Sequence, residues 1–187
     1  MTNLTRSDSL AALSPAPTEK LLNASLLLAP LAYIAVDSSY AVRGWDDGPT
    51  AAMHVVAAAL YGLAAIKLVL VTSGRTQAVL LTVALLGIVG NAGVGQNSLH
   101  IALGGTDLFD ADGPANVFKT LGFFFPLTFA IAAFALRRRT PAWWAPLLVV
   151  GAVLFPIAHV ANISWLAVAD AVIMLLALGT FTQVVRD

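Results

Sequence analysis

Only three histidines occur in the chain, His54, His100 and His159, and each falls near the end of a long apolar stretch. The same stretches hold two aspartates, Asp37 and Asp170, together with Asn97, Asn116, Lys119 and Asn162. Counted along helices at about 1.5 Å per residue, all of them fall in one third of the apolar layer. Ionisable groups are expensive inside a membrane and mark function by default. Neutral imidazoles suit zinc, copper or iron, and two of them facing across a helical bundle can ligate haem. Under that reading His54, His100 and His159 are the ligands of a haem or a divalent metal, with Asn97, Asn162 or Asp37 orienting the rings. No His-Glu-x-x-His or Glu-x-x-His spacing accompanies them.

A carboxyl and an imidazole can also act as general acid and base without a cofactor. Asp37, His100 and Asp170 are the catalytic candidates for that chemistry on a lipid-like or isoprenoid-like molecule. Tyr61, Asn97, Asn116, Lys119, Asn162 and Trp165 are the candidate ligand contacts. The ordinary alternatives are a histidine hydrogen-bonded at a helix end, and Lys119 held in a structural ion pair with Asp37 or Asp170. Two further readings are a small transporter working as a homo-oligomer, and a non-enzymatic sensor or assembly subunit. A transport pathway needs polar groups at the midplane, and here they thin out toward the far side. Asp107, Asp110 and Asp112 do not make a calcium loop, because Leu108 and Lys119 occupy its first and last ligand positions.

The elements that must carry these residues are membrane helices. Of the 187 residues, 59% are hydrophobic and 11% charged, and the net charge is zero. Soluble domains carry about 25% charged residues, so the bilayer is the expected solvent. The charge balance argues against nucleic-acid binding. The absence of cysteine excludes disulfides, thiolate metal sites and iron–sulfur clusters. Six apolar segments have the length of a span, at 21–42, 51–72, 76–102, 115–136, 142–160 and 163–184. They are continuously apolar rather than alternating, which predicts helices and not a barrel. The expected fold is an all-α integral membrane protein, a six-transmembrane-helix bundle forming one domain over residues 20–187. Residues 1–19 are rich in Ser, Thr and Pro and are expected to be a disordered cytoplasmic tail.

Lysine and arginine set the orientation. With the N-terminus inside, seven of them lie in cytoplasmic segments (Arg6, Lys20, Arg75, Arg137, Arg138, Arg139, Arg186) and Arg43 alone lies outside. Both termini are therefore expected in the cytoplasm, in a multi-pass protein of a bacterial cytoplasmic membrane. Lys67 reads as a structural, snorkelling residue. The four tryptophans, Trp45, Trp143, Trp144 and Trp165, fall at span ends as an aromatic belt would. Pro30, Pro126 and Pro156 predict mid-span kinks. Gly90, Gly93, Asn97 and His100 share one helix face, where glycine lets a neighbouring helix approach. Asn91 and Gln96 read as hydrogen-bonding glue between helices. Asp47-Gly48-Pro49 recurs as Asp112-Gly113-Pro114. Three related hairpins, with Tyr40, His100 and His159 at equivalent depths, would explain the recurrence. Turn chemistry alone recreates such a tripeptide and is the preferred reading.

Overall fold

The computed structural model describes residues 16–184. Among them there is no strand. The elements are α1 (Pro17–Arg43), α2 (Gly48–Leu70), α3 (Gly74–Ala102), α4 (Val117–Gly122), α5 (Phe124–Leu136), α6 (Trp144–Val160), α7 (Ser164–Gly179) and α8 (Phe181–Val184). Five helical stretches are long and apolar enough to cross a membrane: Pro17–Arg43, Gly48–Leu70, Gly74–Ala102, Val117–Leu136 and Ser164–Val184. By length and composition this is a multi-pass membrane protein. The sixth apolar segment, α6, has 17 residues, or about 25 Å of helix, against about 30 Å of hydrocarbon.

Each helix packs on the next in sequence, and α7 returns to α1, closing a ring. One end of the ring carries Arg75, Arg137, Arg138 and Arg139. The other carries Asp46, Asp47, Asp107, Asp110 and Asp112 and is called the acidic end below. Residues 1–15 of the expected tail lie outside the described residues. Pro17, Thr18 and Glu19, also assigned to that tail, form the first turn of α1, with proline in the position that lacks an acceptor anyway. Glu19 reaches Lys67 at 3.6 Å, so Lys67 has a partner as well as a route to the surface.

Proline acts differently at its three sites. α1 and α6 run on through Pro30 and Pro156. The fourth span breaks at Phe123, between α4 and α5. Pro126 is the cause: it has no N–H for the carbonyl of Gly122 and its ring crowds that carbonyl.

α3 meets this broken span through glycine. A Cβ on Gly90 would lie 2.2 Å from the Gly122 nitrogen, and one on Gly87 2.6 Å from the Phe125 backbone. The two backbones are in contact, which lipid-solvated helices achieve only through small residues. The expected glycine face is thus real, but His100, on the same line, is exposed.

The aromatic belt is only half present. Trp143 and Trp165 are 48% and 67% exposed, whereas Trp144 is fully buried and donates its indole N–H to the Ala177 carbonyl at 2.7 Å. Trp45 is half-buried and stacks on Tyr40 at 4.8 Å. A buried indole requires an acceptor, and for Trp144 the adjacent helix supplies it.

The two Asp-Gly-Pro turns also differ. Asp47 caps α2, accepting from the Thr50 amide at 3.0 Å and from its hydroxyl. The Thr50 hydroxyl, more than any other neighbour, holds the Asp47 carboxyl below its ordinary pKa. Gly113, by contrast, takes φ +109°, and Pro114 opens a short 3-10 turn ahead of α4. The repeated tripeptide serves one helix cap and one loop exit.

Candidate functional site

The acidic end of the ring encloses a polar cluster deep inside the helices. Its centre is His54, fully buried on α2. Tyr33 on α1 donates its O–H to the Asn91 Oδ1 on α3 at 2.7 Å. The Tyr33 oxygen is then free to accept from His54 Nε2–H at 3.0 Å, with Asn91 Oδ1 3.3 Å from the same nitrogen. His54 Nδ1 is left as the acceptor for Tyr40 O–H at 3.4 Å. This assignment uses both ring nitrogens and describes a neutral imidazole joining three helices. Below it, Tyr33, Tyr61, Phe125 and Phe129 form edge-to-face pairs, with Tyr33 and Tyr61 at 4.8 Å.

A second group lies beside the first. His159 on α6 places Nε2 3.4 Å from the Oδ1 of Asp37 on α1, with side-chain exposures of 9% and 0%. His159 Nδ1 is 2.9 Å from the Phe155 carbonyl. A carbonyl only accepts, so Nδ1 carries a hydrogen. One proton then remains for Nε2 and the Asp37 carboxyl to share, as imidazolium and carboxylate or as imidazole and carboxylic acid. The angles do not form a regular hydrogen bond, and both Asp37 oxygens are left without one. Phe155 stacks under the ring at 4.1 Å and Trp45 meets it edge-on at 5.6 Å. Asp170, buried on α7, has an Oδ1 without a hydrogen-bond partner, and a Cβ on Gly151 of α6 would sit 3.3 Å from that oxygen. It lies within electrostatic reach of His159 and Asp37.

Of these side chains Asn91, Trp45, Phe155 and His159 line a cavity of about 290 Å³ between α3, α4 and α6. Its walls are mixed. Phe155, Phe123 and Val94 form apolar surface, while Asn91, Ser98 and His159 contribute polar groups. α4 packs on α3, while the packing partners of α6 are α5 and α7, and the cavity lies between them.

The structure thus brings Asp37, His159, His54 and Asp170 to one interior region. It does not bring His100 there: that ring is exposed at the end of α3, against Gly105, in a neighbouring pocket with Phe118 that shares Asn97 and Phe109 with the cavity. Asn97 is a loop clamp, donating to Asp107 Oδ1 at 2.9 Å and accepting from the Leu108 amide at 2.8 Å. Lys119 pairs with Asp110 at 3.4 Å, not with Asp37 or Asp170, because it opens α4 at the exposed rim. Asn162 lines the cavity mouth. Asn116 is exposed, Trp165 faces outward on α7, and Tyr61 belongs to the aromatic layer below the cavity.

Among the described residues no three His, Asp or Glu side chains gather as a metal shell. Sequence reasoning missed Tyr33, Trp45 and Phe155, whose only signal was an aromatic ring one turn from an ionisable residue. No known family model, curated protein or solved structure matches the chain. Fold and site alone define its class: a helical, multi-pass membrane protein with a buried polar centre at one end.

Proposed function

We propose that the chain spans the membrane six times, with both termini in the cytoplasm, and binds a small amphipathic molecule in the cavity at its acidic, outer end. The Asp37–His159 couple beside the cavity exchanges a proton with that molecule, as the acid–base centre of a membrane enzyme or of a binding protein. The observation that carries this reading is a buried carboxyl–imidazole pair, His159 Nε2 3.4 Å from Asp37 Oδ1, whose imidazole lines a half-apolar cavity. A proton can pass between two groups 3.4 Å apart with no change in the net charge buried there. The volume is at the small end of ligand sites, which start at about 300 Å³, so a compact head group fits and an apolar tail would extend into lipid.

Gly122 provides the test. It lines the cavity, and a Cβ built on it meets nothing within 4 Å. Gly122→Phe should fill the space and leave the helices in place. The chain would be taken from its native membrane into polymer nanodiscs, and the retained small molecules identified by mass spectrometry. A compound held by the wild type and lost from Gly122→Phe is the expected result. Identical profiles from two folded proteins would sink the cavity reading.

The topology has its own check, made simple by the lack of native cysteine. Cysteine at position 112 should react in intact cells with an impermeant thiol reagent, and cysteine at position 138 should react only after permeabilisation. The reverse pattern would overturn the orientation.

A further inference from the structure

The cavity wall carries two buried nitrogen donors with no hydrogen-bond partner in the protein, the Asn91 Nδ2 and the Trp45 Nε1. Buried donors are rarely left unpaired, because each lost partner costs free energy. Asn91 Oδ1 receives the Tyr33 hydroxyl and lies 3.3 Å from His54 Nε2, which directs its amide nitrogen away from both. Trp45 is fixed by its stack on Tyr40 and its edge contact with His159. Both side chains line the cavity, as does His159. An acceptor seated there would complete the two donors.

The charges narrow the acceptor further. Asp46, Asp107 and Asp110 stand at the mouth against the single cation Lys119, which disfavours an anion. A cation would bring no acceptor to the two N–H groups. The route is from the side. Phe123 on the α4–α5 break and Val160 at the end of α6 both line the cavity and are 51% and 63% exposed, so an apolar seam leads from the bundle surface to the site.

Resting on the function proposed above, we infer that the ligand is a membrane-borne molecule with a neutral carbonyl head group, which enters between α4 and α6 and accepts hydrogen bonds from Asn91 and Trp45. The aromatic walls of Phe155 and Phe123 suit a flat or cyclic head. The donor nitrogens lie beneath the cavity wall, so binding includes small side-chain rotations.

Three probes sharing one tail decide the matter: 4-decylacetophenone, 4-decylbenzylammonium and decylbenzene. Binding would be measured to the full chain in nanodiscs, with empty nanodiscs subtracted. The ketone should bind at least tenfold more tightly than the ammonium or the hydrocarbon, and Gly122→Phe should abolish that binding. Trp45→Phe keeps the ring and removes the N–H, so it should weaken the ketone about five- to tenfold and leave decylbenzene unchanged, which also reports an intact cavity. Tighter binding of the ammonium or the hydrocarbon, lost in Gly122→Phe, would overturn the carbonyl assignment while the cavity stands. An unchanged ketone affinity in Trp45→Phe would overturn it too. If no probe binds in a manner sensitive to Gly122→Phe, the cavity reading itself fails.

Discussion

Replacing His159 by leucine should cost the protein about 3–5 kcal/mol of stability, the usual penalty for stranding one member of a buried charged pair. The Asp37 side chain is completely buried, its oxygens make no hydrogen bond, and His159 Nε2 lies 3.4 Å from its Oδ1. Removal of the imidazole takes that partner from a fully buried carboxyl. The pair itself need not stabilise the fold against an apolar substitute. The double variant Asp37→Leu with His159→Leu should therefore recover most of the loss. Unfolding of all four proteins in a bicelle titration closes the cycle. If the single variant matches the wild type, no proton is shared between these groups and the acid–base proposal loses its basis.

The second large effect concerns two facing glycines whose substitutions should differ sharply. In a helix, Gly→Ala is favoured by about 1 kcal/mol from propensity alone. At Gly122 nothing lies within 4 Å of the new methyl, so Gly122→Ala should be neutral or slightly stabilising. At Gly90 the methyl would meet the Gly122 nitrogen and the Leu121 carbonyl carbon, both at 2.2 Å. These are backbone atoms, and α3 and α4 must separate to admit it. Overpacking of a tight core costs about 1–3 kcal/mol and sometimes more, which outweighs the propensity gain. Gly90→Ala should thus destabilise and Gly90→Leu should prevent a monodisperse fold. Thermal unfolding of the purified variants measures the difference. Equal behaviour of the two alanine variants would mean that α3 and α4 are not in backbone contact.

The glycine pair also illustrates why a sequence reveals some contacts and hides others. That glycines spaced along α3 would admit a neighbour follows from helical periodicity, because residues three and four apart share a face. Which helix arrives, and how closely, depends on the break at Phe123, a tertiary consequence of Pro126. Phe123, at that break, also lines the cavity. Pro30 and Pro156 look no different in sequence, yet α1 and α6 continue through them.

Ionisable residues divide in the same way. Composition and the length of the apolar runs were enough to call for membrane helices, since a bilayer leaves the backbone no other way to satisfy its hydrogen bonds. The gathering of polar groups toward one end followed from counting along those helices. Depth, however, says nothing of azimuth. His100 and His159 end their helices at similar heights, but His100 is turned out against Gly105 while His159 is turned in against Asp37. Lys119 looked like a partner for Asp37 and is instead held at the rim by Asp110. Asn91, read only as glue between helices, is the residue that fixes His54 and leaves a donor over. The chain by itself determined the solvent, the helices and the end at which polar groups collect, because hydrophobicity and rise per residue are local properties. Only the closed ring decided which side chains meet, because rotation about each helix axis is set by the packing of its neighbours.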